Sequence, residues 1–211
     1  MDEPRAEWPN TTHDWVTEVD IAHLQHIRRA PASLAPGGLR HLILEVVAYA
    51  ADEAEVTGNG RCLIVLYADG SVSVSDEGRG TDTRVDDRGR HIRKPIMSSK
   101  DLRFFDRPEA QCLPDLHPRR GISVVAALSR WLIHTNRRRD GAWTQRYEHG
   151  IPVSDLLPVT AIGPTGTTVH FLPDPDLSPG DELNAEDLLQ MVACWPYLSV
   201  DVDDARPQES R

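Results

Sequence analysis

The sequence has few cysteines and no long apolar run, and both shortages remove classes of protein. Its three cysteines, Cys62, Cys112 and Cys194, match neither a zinc-ligand spacing nor a disulfide framework. No apolar run approaches the roughly 20 residues that cross a bilayer. The acidic N-terminus, MDEPRAEWPN, lacks the apolar core of a signal peptide. We therefore expect a protein of the reducing cytoplasm without a membrane partner.

Basic residues are also in deficit. The chain has 23 Lys and Arg residues against 33 Asp and Glu residues, which gives a formal net charge of −10. Surfaces that bind DNA are normally basic, so we expect no direct DNA binding. The one arginine run, at 137–139, is typical of the solvated end of a hairpin.

The chain's 211 residues are enough for one domain with a core. Hydrophobic residues make up 39% of the chain and charged residues 27%. We expect a flexible N-terminal segment at 1–18, a single domain at 19–204 and a polar tail at 205–211. Within the domain, 81–120 is charged, weakly periodic and contains prolines, which predicts a variable functional loop with a helical piece around Lys94 to Phe105.

The periodicity of the domain predicts an α+β sandwich, in which a mostly antiparallel sheet packs on helices. Apolar residues at helical spacing predict a short helix with Ile21, Leu24 and Ile27 on one face and a long helix from Leu39. Two further helices are expected, at 121–132 and after a cap at Asn184. Strands are expected at 61–67, 71–76, 165–171 and 197–203, with a hairpin that turns at Asp140-Gly141.

Three polar features of this pattern could form a binding site. Glu45 shares one stripe of the long helix with Tyr49 and Asp52. DEGRG, at 76–80, follows a strand, and its glycines would let a flat ligand approach the backbone while Asp76 accepts a hydrogen bond from an exocyclic amine. Thr165-Gly166-Thr167 opens a later strand. Taken singly, these features also fit an ion-paired helix acid, a plain β-turn and an ordinary strand start.

Five sequence blocks, in order, resemble the GHKL ATP-binding fold shared by gyrase B subunits, heat-shock chaperones of the ninety-kilodalton class, mismatch-repair proteins and histidine kinases. The match is to the N-terminal ATPase subdomain of the gyrase B and topoisomerase IV B subunits, and it covers about residues 20–204. The blocks are GGLRHLILEVVAYAADEA at 37–54, VSVSDEGRG at 72–80, RGISVVAALS at 120–129, QRYEHGIP at 145–152 and PTGTTVHFLPDPDL at 164–177.

The resemblance implies a role for each matching residue. Glu45 takes the position of the general base that activates water against the γ-phosphate. Asp76 takes that of the adenine-amine acceptor, and Thr167 that of the threonine that supports it. Gly78 and Gly80 match the glycines that lie beside the nucleotide. Glu53 and Arg79 match a pair at the adenine side of the pocket. Gly121 matches the last glycine of the ATP lid.

The sequence departs from the family where phosphates and metal are handled. Tyr49 stands where the resemblance places the asparagine that holds Mg²⁺, and a phenol is a poor ligand for a hard cation. The lid keeps only Gly121, because Pro118 lacks an amide donor and Arg119 adds a side chain. Arg119 and Arg120 could instead pair with phosphates directly, which is a different binding mode. We also expect no transducer domain, with its lysine for the γ-phosphate, and no DNA-cleavage domain.

These departures leave three readings open. The first is a stand-alone module that binds ATP or ADP with weak or no hydrolysis and little dependence on Mg²⁺, with a regulatory role or a place in a complex with a gyrase-like or other protein partner. The second is a slow ATPase subunit of a minimal topoisomerase-like assembly that relies on Glu45. The third is an interaction module whose pocket is vestigial and filled by Tyr49.

Overall fold

A computed structural model describes residues 19–81, 83–85, 91–93, 96–177 and 183–207. The helices, in chain order, are α1 Ile21–Arg29, α2 Pro31–Leu34, α3 Gly38–Thr57, α4 Ile122–Ala127 and α5 Ala185–Val192. The strands are β1 Gly60–Leu66, β2 Val72–Asp76, β3 Thr83–Val85, β4 His91–Arg93, β5 Ser129–Arg138, β6 Gly141–Glu148, β7 Ile151–Pro152, β8 Leu157–Pro158, β9 Gly166–Pro173 and β10 Leu198–Asp204. Among the described residues, no helix is both long and apolar enough to cross a membrane.

Eight strands form one mixed sheet in the order β10-β1-β2-β9-β5-β6-β7, with β8 also paired to β6. Every pair in it is antiparallel except β1 with β10. Side chains alternate along β1, so that Cys62, Ile64 and Leu66 are buried while the residues between them are more exposed. The predicted α+β sandwich is therefore confirmed.

The long helix α3 lies in the centre of the core. Leu42, Ile43 and Val47 are fully buried, and the helix contacts β1, β2 and α4. It ends where Gly58 adopts a left-handed conformation with φ 81°, which is the usual helix stop. Because α3 contacts both the sheet and other helices, Glu45 on its second stripe is fully buried despite its charge.

Three details of the predicted helices are wrong. The helix expected at 121–132 ends at Ala127, and Leu132 is a core residue of β5, whose alternating apolar side chains favour a strand. The described part of the expected helical piece, 96–105, forms turns. Ile21 is 44% exposed, so only Leu24 and Ile27 face the core from α1. The helix after Asn184 is confirmed, with the Asn184 side chain accepting a hydrogen bond from the Glu186 amide.

The described part of the predicted loop region contacts the middle of α3, at Glu45, Tyr49 and Asp52. The short hairpin β3–β4 comes first. The lid segment, defined here as residues 96–121, follows as a series of turns with one isolated bridge between Cys112 and Pro118. The flexible segment predicted at 1–18 lies outside the described residues, and the tail predicted at 205–211 is described only as far as 207.

Candidate functional site

Asp76, at the end of β2, is bound by backbone groups from two elements. Its Oδ1 accepts a hydrogen bond from the Gly78 amide at 2.8 Å, and its Oδ2 accepts one from the Thr167 amide at 3.2 Å. Burial raises the pKa of Asp76 above its usual range, and the bonds from Gly78 and Thr167 oppose that rise. The pairing of β2 with β9 places Thr167 beside Asp76, as the resemblance implies.

Both glycines of the DEGRG turn are required by the packing of the turn itself. A Cβ atom on Gly78 would lie 2.8 Å from Asp76 Oδ1 and 2.8 Å from Glu53 Cγ. Gly80 has φ +77°, and a Cβ there would lie 2.6 Å from Asn136 Oδ1. The close approach that the motif predicts is thus made by atoms of the chain itself.

Glu53 and Arg79, the pair that the resemblance places at the adenine side, form an ion pair with each other. Arg79 Nε donates to Glu53 Oε1 at 2.6 Å and Nη2 donates to Oε2 at 2.9 Å. This bidentate contact lowers the pKa of Glu53 despite its partial burial. Because the Arg79 side chain is 68% exposed, the pair contributes little to stability and serves mainly to position the two side chains.

Asp76 and Thr167 face a small apolar cavity of about 60 Å³. Its other lining residues are mostly apolar: Val46, Tyr49, Ala50, Val74, Thr81, Ile96, Met97, Ile122, His134 and Val169. A volume of about 60 Å³ is well below the roughly 300 Å³ at which ligand pockets begin. A second cavity of about 160 Å³ lies beside the Asp76–Gly78 turn and the Glu53–Arg79 pair. Ile96 and Met97 of the lid segment form part of the wall of the small cavity, and Asp76 lines both cavities.

Glu45 is fully buried, and its two carboxylate oxygens accept backbone hydrogen bonds from the lid segment. Oε1 accepts from the Arg120 amide, and Oε2 accepts from the Gly121 amide at 2.9 Å. His41 Nε2, one helical turn earlier, lies 3.5 Å from Oε1. The resemblance assigns phosphate binding to the amides around Gly121, and here Glu45 occupies them.

His41 is held between two acids. Its Nδ1 lies 2.7 Å from Asp115 Oδ2, and Nε2 faces Glu45. Burial alone would lower the pKa of His41, but the hydrogen bonds from Asp115 and Glu45 outweigh it and raise the pKa to about 9. The imidazole is therefore protonated at neutral pH.

Tyr49 connects α3 to the lid segment. Its hydroxyl donates to Asp101 Oδ2 at 2.9 Å and accepts from the Ile122 amide at 3.2 Å. Burial, together with the charge of Asp101, raises the pKa of Tyr49 above its ordinary value, so the phenol stays neutral. Tyr49, which was predicted to face the nucleotide, thus forms a hydrogen bond to the lid segment.

Asp52 binds Arg119, the largest fully buried side chain among the described residues. Nη1 and Nη2 of Arg119 donate to the two Asp52 oxygens at 2.9 Å each. The guanidinium lies over two aromatic rings, 4.0 Å from the Phe104 centroid and 4.6 Å from the Tyr49 centroid. Arg103 adds a second cation, 3.7 Å from Asp52 and paired with Asp101.

The predicted site residues come together in two adjacent groups. Those around the small cavity and the turn are Glu53, Asp76, Gly78, Arg79, Gly80 and Thr167. Those under the lid segment are Glu45, Tyr49, Asp52 and Gly121. Their roles in binding and catalysis stay predictions. In the described ranges, no group of three or more His, Cys, Asp and Glu side chains has an arrangement that could hold a metal ion.

Sequence reasoning missed four residues of this arrangement. His41 had a usable signal, because it lies four residues before Glu45 on the same helix. Arg119 was considered as a disruption of the lid or as a direct phosphate ligand, but not as the partner of Asp52, and Asp101 had no signal. Asn136 was also missed; its side chain accepts from the Thr81 amide and donates to the Thr81 carbonyl, both at 2.8 Å, from a strand far along the chain.

Comparison with known proteins places similar sequences among the B subunits of DNA topoisomerase 4 and DNA gyrase. The B subunit of DNA topoisomerase 4 from Bacillus subtilis is 34% identical over 182 residues, which are 83% of this chain and 28% of the relative. The DNA gyrase B protein of Haloferax volcanii is 33% identical over 204 residues, covering 89% of this chain and 31% of the relative. That of Thermotoga maritima is 33% identical over 195 residues, covering 86% and 30%. No protein-family model matches the chain. The chain spans less than a third of the length of these relatives.

Proposed function

We propose that this chain, a GHKL-type homologue of the gyrase B and topoisomerase IV B subunits, is an adenine-nucleotide-binding module with weak or no hydrolysis. It would act as a regulatory unit or as part of a complex with a gyrase-like or other protein partner. The ligand would be ATP or ADP, bound with little dependence on Mg²⁺.

The observation that carries this proposal is the environment of Asp76. Its carboxylate is oriented by the Gly78 and Thr167 amides and borders an apolar cavity. Each carboxylate oxygen has two acceptor sites, so both keep capacity for a donor from a ligand. A flat ring with an exocyclic amine fits this combination of apolar walls and one oriented acceptor.

The surroundings of Glu45 and Tyr49 support the proposal that hydrolysis is weak or absent. A general base must reach the proton that it abstracts, and both oxygens of Glu45 are engaged by backbone amides in a site closed to solvent. Tyr49 occupies the position where the resemblance places the metal ligand. Loss of such groups commonly costs about 10²-fold in rate each, so we expect slow hydrolysis at most.

Titration calorimetry of the full chain with ADP and ATP, in Mg²⁺ and in EDTA, tests the proposal. We expect binding that is similar in both conditions, and no phosphate release. Asp76→Asn should weaken binding about tenfold, because an amide can present its NH₂ group where the ligand amine needs an acceptor. Asp155→Asn, at an exposed position, is the matched control and should bind as the unchanged chain does. Failure of any nucleotide to bind contradicts the proposal.

A vestigial pocket is the second candidate, and the small cavity favours it. About 60 Å³ of free volume, closed by a lid segment that is bonded at Glu45, Tyr49 and Asp52, describes a site that is already filled by the chain. Absence of binding in the same titration selects this candidate. The slow-ATPase reading requires instead phosphate release that Glu45→Ala abolishes.

A further inference from the structure

We propose that Glu45 and Asp52 take the places of a ligand's phosphate groups, and so make the pocket select adenine compounds without phosphates over nucleotides. This inference rests on the proposed adenine site and names what that site prefers. It concerns two carboxylates on one helix and the parts of the lid segment that they hold.

The first substitute is the Glu45 carboxylate. Two successive amides, of Arg120 and Gly121, point at its two oxygens from the lid segment. Successive backbone N–H groups that converge on one point form a concave anion site, and phosphate is its common ligand. Glu45 is fully buried there, so a phosphate oxygen that sought these amides would have to displace it.

The second substitute is the Asp52 carboxylate. Arg119 binds it through two parallel hydrogen bonds of 2.9 Å, the fork geometry that arginine uses equally for carboxylate and for phosphate. The guanidinium is fixed between the Phe104 and Tyr49 rings and cannot follow a ligand elsewhere without leaving this buried position. Arg103, 3.7 Å from Asp52, is itself bound to Asp101 at 2.8 Å.

The charged side chains between α3 and the lid segment carry a net negative charge, which opposes the binding of a further anion. Four acids, Glu45, Asp52, Asp101 and Asp115, face three cations, His41, Arg103 and Arg119. A phosphate that binds beside them adds negative charge at low dielectric, where repulsion is strong. A phosphate that displaces Glu45 leaves that fully buried acid without the amides that bind it, which is also unfavourable. Adenosine adds no charge and meets neither cost.

Calorimetry of the full chain with adenosine and with ADP, in EDTA at pH 7, tests the selection. We expect adenosine to bind about tenfold more tightly than ADP. Asp52→Asn and Glu45→Gln each remove one negative charge and weaken one contact between α3 and the lid segment. Each should strengthen ADP binding about tenfold while adenosine binding changes less than about twofold. Glu55→Gln, at an exposed position of the same helix, is the matched control and should change neither affinity.

The outcomes separate this inference from the proposed function. Adenosine binding together with an ADP-to-adenosine ratio that neither variant alters overturns the inference and leaves the function standing. Failure of both ligands to bind overturns the function and, with it, the selection inferred for the pocket. Hydrogen exchange tests separately the contacts on which the inference depends. If the carboxylates hold the lid segment, the Arg120 and Gly121 amides exchange faster in Asp52→Asn and Glu45→Gln than in Glu55→Gln. Unchanged exchange in both variants overturns it.

Discussion

At the scale of single residues, Tyr49 differs in kind from the asparagine that the resemblance places at its position. An asparagine would offer an oxygen to a metal ion, whereas the Tyr49 hydroxyl donates to Asp101 and accepts from the Ile122 amide. Because its raised pKa keeps the phenol neutral, both bonds persist at any physiological pH. One substitution in the sequence thus exchanges a metal ligand for a connection between helix and lid.

We expect Tyr49→Asn to create Mg²⁺-dependent ADP binding that the unchanged chain lacks. The smaller side chain removes the bonds to the lid segment, opens space beside Glu45 and supplies an amide oxygen of the kind that Mg²⁺ accepts. The measurement is ADP affinity in Mg²⁺ and in EDTA, and the affinity in Mg²⁺ should be about tenfold higher.

Tyr49→Phe separates the metal effect from the loss of the lid bonds. It removes the same hydroxyl but adds no ligand, so its ADP affinity should not depend on Mg²⁺. Equal Mg²⁺ dependence in both variants, or none in either, would show that the residue at this position does not control metal binding.

At the scale of elements, the approach of β9 to the end of β2 fixes the site. Gly166, the first residue of β9, has φ +141°, and a Cβ there would lie 2.0 Å from the Asp76 carbonyl oxygen. The contact is with backbone, which cannot rotate away. The same approach brings the Thr167 amide to Asp76, so the strand pairing and the oriented carboxylate depend on each other.

Gly166→Ala should therefore destabilise the fold by about 2–4 kcal/mol, through both the strained φ and the displaced strand. Urea unfolding measures the loss. Gly163→Ala is the matched control, because Gly163 also has a positive φ, +84°, but has no atom within 4 Å of its added Cβ. It should cost about 1–2 kcal/mol, the conformational part alone. Equal losses would contradict the importance of the close approach.

The sequence predicted elements well where their apolar residues repeat at a fixed spacing. The helix from Leu39, the hairpin at Asp140-Gly141 and the strand before Asp76 are confirmed, since each has a clear period and a clear end. Within the lid segment, the helical piece expected around Lys94 to Phe105 was wrong, because this part of the chain has no clear period. The turns of the lid segment are fixed by contacts to α3, such as Arg119 with Asp52, which join residues 67 positions apart. Contacts between residues so far apart in the chain produce no local sequence pattern from which they could be predicted.

At the scale of the whole molecule, the resemblance to the gyrase B and topoisomerase IV B subunits is confirmed by relatives at 33–34% identity. Ordered blocks located the fold and the residues around Asp76. They did not indicate that Glu45 would bind the lid, because a resemblance gives each residue a position and not its partner in this chain. Ion pairs between α3 and the lid segment, such as Asp52 with Arg119, were identified only from the structure.

His41 makes the stability of the whole fold depend on pH. Its pKa is about 9 in the folded chain and 6.5 as the ordinary value, so its stabilisation is complete below about pH 6.5 and is lost as pH rises through about 9. A shift of this size corresponds to about 3 kcal/mol. Asp115, whose pKa is lowered, loses its contribution only in acid, and His23, with a pKa of about 4, acts between about pH 4 and 6.5.

We therefore expect the free energy of unfolding to fall between pH 7 and 9 in urea titrations. His41→Gln, which cannot be protonated, should make the dependence over this range about 2 kcal/mol flatter. His26→Gln, at an exposed position of α1, is the matched control and should keep the slope of the unchanged chain. A slope that His41→Gln leaves intact would assign the pH dependence to other groups.

The parallel pairing of β1 with β10 has a consequence for how the chain folds. Gly60 pairs with Leu198 and Leu66 with Asp204, contacts that span some 138 residues of chain. Contacts of such sequence separation slow folding, and during synthesis β1 leaves the ribosome long before its partner strand. Until β10 arrives, β1 is an open edge with unpaired amides and the side chain of Leu63 beside it. The nascent chain is thus most prone to aggregate in the interval between these two strands.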